Sequence, residues 1–283
     1  MMSLIDGQSL YRTVMNAANF MFEGGSYTPS ERSHLVDWIL AHQTRQRGFV
    51  FYPTAAEREC GIRLFSGEKP QTVLATNNAV EMETLRLLAL LQPDAPEVQR
   101  LFEMAERRLS GVCFGRVCSK GECAHASLSV LRYHTARGVE RGARMIVRGL
   151  EALRQDRVGE GKWRCFPFYY ALLWLVELPD SLPYDELDEC VRAELLYARD
   201  RCGRLLSRLK PRASGKPFDR VRSKILQDAL IRVARTAATQ GVMFEVDRVA
   251  ACGQSRWPLI STTLNATQTH TLLPVLPERP APC

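Results

Sequence analysis

Apolar residues recur at helical spacing along most of this chain, and β-type alternation is nearly absent, which predicts an all-α fold built from helical hairpins. A second observation is the recurrence of one kind of loop: a helix ends, a glycine and an aromatic follow, and another helix begins. It occurs at Gln43…Gly48-Phe49, at Gly111…Phe114 and at Gln155…Gly161-Lys162-Trp163. These glycines lie 63 and then 50 residues apart, so the repeat is irregular. Helix pairs that bury one face only against their neighbours build a solenoid or a closed ring.

The first helix is predicted over 8–22 and is broken by Gly24-Gly25. Thr28-Pro29-Ser30-Glu31 then starts a second, with Thr28 or Ser30 as the cap and Glu31 early in the turn. It carries Leu35, Trp38, Ile39 and Leu40 and ends before Gly48. A loop to Thr76, with Pro53, Gly61, Gly67 and Pro70, exceeds usual connection lengths and is either functional or locally structured. Further helices are predicted over 77–91, 95–109, 124–137, 140–155, 167–178, 184–209 and 220–239. The division is an N-terminal helix in 1–30, a helical-hairpin domain over 31–240 and an irregular tail over 241–283. The end of that tail, LPVLPERPAPC, has four prolines and cannot sustain a helix.

With 283 residues and 46% hydrophobic content, the chain has material for a sizeable core. It has no run of eighteen apolar residues, so no membrane span is expected. Its first residues lack the basic-then-apolar pattern of a secretory signal, and a cytoplasmic location is the expectation. Nine cysteines, an odd count, do not form a small disulfide scaffold and point to thiols or metal ligands. The net charge of +7 is concentrated: 199–235 holds twelve Lys/Arg against three Asp, a local +9. An anionic partner is expected for that segment, either a diphosphate, a nucleic acid or an acidic protein. Arg220 and Lys224 are its ligand-binding candidates. Phe218 is its one aromatic, which argues against stacking on single strands.

The most chemically specific stretch is GVCFGRVCSKGECAH. Cys113, Cys118, Cys123 and His125 fall within thirteen residues, where a loop turns into a helix. Thiolate and imidazole suit zinc, in a structural site if all four bind and in an open site if one position goes to water or a thiol. An iron–sulfur cluster with Cys165 as a further ligand is a second alternative. Ordinary thiols beside a histidine that caps a helix is a third. The even four-residue gaps match no common Cys-x-x-Cys knuckle.

Arg148 to Gln155 with Gly161-Lys162-Trp163 resembles the QW repeat of squalene–hopene cyclases and related prenyltransferase-repeat proteins, and Trp38-Ile39…Gln43…Gly48-Phe49 is similar but looser. Trp163 to Leu173 also resembles the start of an inner helix in that group. The resemblance covers roughly 30–178. It implies an α/α toroid, an inner and an outer ring of helices with a cavity at the inner N-terminal ends, the mouth lined by 76–78, 123–125 and 165–167. Fewer hairpins are visible than in the full ring. The ring is therefore incomplete, or closed by the N-terminal helix or by a second subunit in a homo-oligomer.

On that resemblance, the chain is expected to bind an apolar or isoprenoid-like small molecule, bearing a diphosphate in one version, and to act as a transferase or cyclase with zinc. His125 and Glu81 are then the catalytic candidates, and Glu83 is an acid or base of the same kind. Asn78, Phe168 and Tyr169 are further ligand-binding candidates. The sequence has no Asp-x-Asp-Asp proton-donor motif and no lanthionine-cyclase Trp-Cys-x-Gly or Cys-His-Gly. The aromatics Phe166, Phe168, Tyr169, Tyr170 and Trp174 read either as a cation-stabilising face or as core. Asp185-Glu186-Leu187-Asp188-Glu189 reads as acids placed at a helix N-terminus. The competing reading is a non-enzymatic helical-repeat scaffold whose basic C-terminal helices bind an acidic protein or nucleic acid. A filled centre favours the scaffold and an enclosed aromatic pocket favours the enzyme.

Overall fold

The computed structural model describes residues 5–180, 182, 185–209 and 218–239. The proline-rich segment 241–283 lies outside the described residues, and so does Cys283. Among the described residues there are ten α-helices, one short 3-10 helix and no strand. None of these helices is long and apolar enough to cross a membrane.

Local signals set the first elements. Ser9 caps α1 (Leu10–Phe22), its hydroxyl accepting from the Arg12 N–H. Helix α2 (Pro29–Ala41) opens on a capping box in which Thr28 and Glu31 satisfy each other's backbone N–H, so the cap is Thr28 and not Ser30. The long connection after α2 is locally structured. It contains α3 (Ala55–Cys60), opened by a second capping box from Thr54 and Glu57. Helix α4 (Val73–Leu91) starts four residues before the predicted position because the Thr72 hydroxyl caps it.

The remaining helices are of two kinds. Helix α4, α6 (Cys123–Ala136) and α8 (Phe168–Glu177) are buried on most sides. By contrast, α5 (Pro96–Ser110) and α7 (Val139–Gln155) bury one stripe each, such as Val98, Leu101, Phe102, Ala105 and Leu109 of α5. Helix α4 packs on α6, α6 on α8, and α8 on α10 (Asp219–Thr239). Behind them lie α5, α7 and α9 (Asp185–Arg208), while α1 and α2 pack on α4. Helix α7 approaches closely because residue 149 is glycine: a Cβ there would lie 2.6 Å from Trp174 and 2.7 Å from Leu131.

Buried charges join α4, α6 and α8. The Arg132 guanidinium, 1% exposed, donates from Nε and Nη2 to the Glu177 carboxylate at 2.7 and 2.6 Å and from Nη1 to Glu83. Arg86 donates to the same Glu177 at 2.7 Å, and the Tyr170 hydroxyl donates to Glu83. Burial pushes the Glu177 pKa up, but Arg132 and Arg86 outweigh it and hold the group below the usual carboxylate range. Tyr170 and Trp174 are fully buried, the latter donating to Thr135 at 3.1 Å, so these members of the aromatic band are core.

Distant side chains close the helix ends. Glu57 accepts from Ser9 Oγ and the Tyr11 N–H at 2.7 and 2.8 Å, capping the start of α1. Glu68 accepts from the Tyr169 and Tyr170 N–H groups at 3.2 and 2.9 Å, capping the start of α8. At the other end of α8, Arg232 donates to the carbonyls of Leu175, Leu178 and Pro179 at 2.6–2.7 Å. A carboxylate at the N-terminus and a guanidinium at the C-terminus both match the helix dipole. In the repeat-like loops, Gln46 bridges Phe49 and Arg157 bridges Trp163. The Trp163 indole donates to Glu194 of α9 at 3.1 Å, which is a tie between helices.

Candidate metal centre

The thiols come together because α5 hands the chain to α6 through a tight turn. After Gly111, the 3-10 helix (Cys113–Arg116) reverses the chain, and Val117 follows at φ 62°. Gly115 sits so close to the end of α5 that a Cβ there would lie 2.0 Å from the Leu109 carbonyl oxygen. Ser127, one turn into α6, accepts from the Cys118 N–H at 2.9 Å and donates to the Cys118 carbonyl at 2.9 Å. Cys123 is the first residue of α6.

The Sγ atoms of Cys113, Cys118 and Cys123 lie within 4.8 Å of one another, and those of Cys113 and Cys123 are 3.5 Å apart. Cys113 is exposed and the other two are half-buried. Burial, then hydrogen bonding with Cys113 and the neighbouring Cys118, pushes the Cys123 thiol up to about 12. Cys123 is thus a neutral thiol until a cation draws off its proton. Its position at the start of α6, where backbone N–H groups point outward, favours negative charge. A group of three soft donors can hold a metal ion.

His125 does not belong to this group. Two residues along an α-helix is a rotation of about 200°, so His125 is carried to the side of α6 away from Cys123. It is buried, its Nδ1 has no hydrogen-bond partner among the described residues, and burial lowers its pKa to about 4. Cys165, considered as a cluster ligand, also lies outside the group; its backbone N–H donates to Asp156 at 2.6 Å.

The other predicted site residues have partners within the fold. Glu81 is fully buried, accepts from the Val50 N–H at 2.7 Å and pairs with Arg108. Burial raises its pKa against the pull of Arg108, and its role there is to hold the loop after α2. Glu83 belongs to the interior ion pairs. Asn78 is fully buried, donates to the Ala126 carbonyl at 3.1 Å and accepts from Arg108 at 3.2 Å. Phe168 and Tyr169 are half-buried under the guanidinium groups of Arg201 and Arg222, at 4.8 and 4.9 Å.

Arg220 pairs with Glu23 at 3.0 Å, and Lys224 with Asp228 at 3.2 Å. With Arg232 capping α8, much of the basic charge on α10 has internal partners. Asp188 accepts from the Leu182 N–H at 3.0 Å, in keeping with acids at a helix start. Gly115 and Ser127, which shape the turn that carries the thiols, are not marked by any motif in the sequence. A serine four residues after a cysteine is a common helical pattern and carries no signal of its own.

No family model, no curated protein and no solved structure matches the chain.

Proposed function

We propose that the chain is a zinc-binding helical-hairpin protein in which Cys113, Cys118 and Cys123 hold one ion through three thiolates and leave its fourth position open. The convergence of the three Sγ atoms within 4.8 Å carries the reading. A tetrahedral ion with bonds of about 2.3 Å needs sulfur atoms about 3.8 Å apart. The trio meets that with small side-chain rotations, whereas His125 sits on the other side of α6. Elemental analysis of protein prepared without affinity metals tests it: one zinc per chain is expected, with loss in Cys118→Ser and in Cys123→Ser. Metal-free wild-type protein, or retention in both variants, overturns it.

The scaffold reading of the rest of the fold has a specific observation in its favour. The space between α4, α6 and α8 is filled by Arg132, Glu83, Glu177 and Arg86, and the start of α8 is taken by Glu68. A ring is supported by α1, which packs on α4 while Glu23 and Phe22 at its end meet Arg220 and Lys224 of α10. The isoprenoid-type ligand and the prenyltransferase or cyclase activity implied by the resemblance have less support. Two of their expected contacts, Asn78 and Glu81, are occupied within the protein. Binding of farnesyl diphosphate with micromolar affinity would reverse that preference.

A further inference from the structure

Between α5, the 3-10 turn, α6 and α7 lies an open cleft of about 450 Å3. Leu109 and Met145 give it apolar surface, and Glu106, His134, Arg137 and Arg141 give it polar groups. Clefts of ~300–1,000 Å3 are the usual size for small-molecule sites.

Arg137 is the unusual residue. Its side chain is 7% exposed and held from two directions. Nη1 donates to Glu106 at 2.6 Å and to the Tyr133 hydroxyl at 2.9 Å, and the guanidinium lies over the Phe102 ring at 4.1 Å. The guanidinium plane is therefore fixed. Its Nε and Nη2 form the side-on donor pair, and neither has a hydrogen bond to protein among the described residues. The half-buried ring of His134 has no hydrogen-bond partner among the described residues either. Burial, then Arg137, lowers its pKa to about 4, so at neutral pH it both donates and accepts. Arg141 is exposed at the cleft, and Glu106 offsets only one of the two arginines.

We propose that this cleft binds a small molecule carrying a carboxylate on a short apolar body. The two carboxylate oxygens meet the parallel N–H groups of Arg137 Nε and Nη2, which is the pairing that gives arginine its selectivity for carboxylates. His134 takes a further polar atom of the ligand, Arg141 supplies long-range attraction, and the apolar body lies on Leu109 and Met145. The cleft shares only Gly115 with the turn that carries the thiols, and this proposal stands whether or not they bind metal.

The test is NMR of the arginine side-chain Nε–H signals with hexanoate, hexanamide and inorganic phosphate as probes. Hexanoate is expected to move the Arg137 signal saturably and to bind roughly tenfold more tightly than either other probe. Arg137→Lys is expected to weaken hexanoate binding roughly tenfold although the charge is kept. Because Arg137 also packs on Phe102, Arg141→Gln is the second variant. Its exposed side chain leaves folding intact, and hexanoate affinity is expected to fall several-fold. No saturable shift with hexanoate, equal binding of hexanamide, or equal binding of phosphate overturns the proposal, and so does unchanged affinity in Arg141→Gln.

Discussion

Arg132→Met removes one positive charge from a buried set of two arginines and two glutamates. The side chain is 1% exposed and its three guanidinium nitrogens all donate to Glu177 or Glu83. Methionine fills most of the volume, so the main cost is electrostatic. Arg86 alone then faces Glu83 and Glu177, one carboxylate charge is uncompensated, and breaking such a set costs ~3–5 kcal/mol. Urea unfolding at neutral pH, followed by linear extrapolation, measures it.

The same charge count makes two further demands. Arg132→Met/Glu177→Leu leaves Arg86 with Glu83, a neutral pair already 4.0 Å apart, so the double variant should lose less than the sum of the singles by ~1–3 kcal/mol. The pH dependence also has a definite sign. In the wild type Glu177 is held below its ordinary pKa, so its contribution is present above the unfolded value and is lost as pH falls through the lower folded value. In Arg132→Met a stranded carboxylate has a raised pKa, so acid relieves the strain by protonating it. The gap between the two proteins must narrow on acidification. A loss under ~1 kcal/mol, strict additivity, or a gap that widens in acid would refute the reasoning.

Gly115→Ala forces a Cβ against the Leu109 carbonyl oxygen and shifts the turn carrying Cys113. Chelator competition should show zinc affinity lowered roughly 10–100-fold, and unchanged affinity contradicts the geometry. His125→Leu should keep its metal, since His125 lies outside the thiol group. His125 is held neutral with its pKa near 4, so it contributes stability above its unfolded value of ~6.5 that is lost as pH falls toward 4, on the order of 3 kcal/mol at most. His125→Leu should flatten that acid slope, and an identical slope in the variant would show that burial does not control this titration. Arg232→Met deletes three bonds to the carbonyls ending α8 and should cost ~1.5–3 kcal/mol by urea unfolding. A loss within the error of the fit would mean that water replaces the guanidinium.

The helices were legible because their signal is local. The 3.6-residue period marks α5 and α7 directly, and Thr28 with Glu31 announces the start of α2. The three cysteines were legible for the same reason, being only ten residues apart in sequence. What closes the helix ends was not, because it comes from far away: Glu68 reaches N–H groups 101 and 102 residues on, and Glu57 one 46 residues back. A lone glutamate in a loop has no pattern that names its distant helix. Glu81 and Glu83 looked like candidates for acid–base chemistry because a sequence cannot show that Arg108 and Arg132 arrive from other helices to neutralise them. His125 is different. Its two-residue offset from Cys123 already implied opposite sides of a helix, once α6 was taken to begin at Cys123.

X-ray absorption at the zinc K-edge of the purified protein tests the trithiolate centre most directly. Three sulfur scatterers at about 2.3 Å and one lighter atom from water are predicted. Four sulfurs, the multiple-scattering pattern of a bound imidazole, or no zinc at all would contradict it.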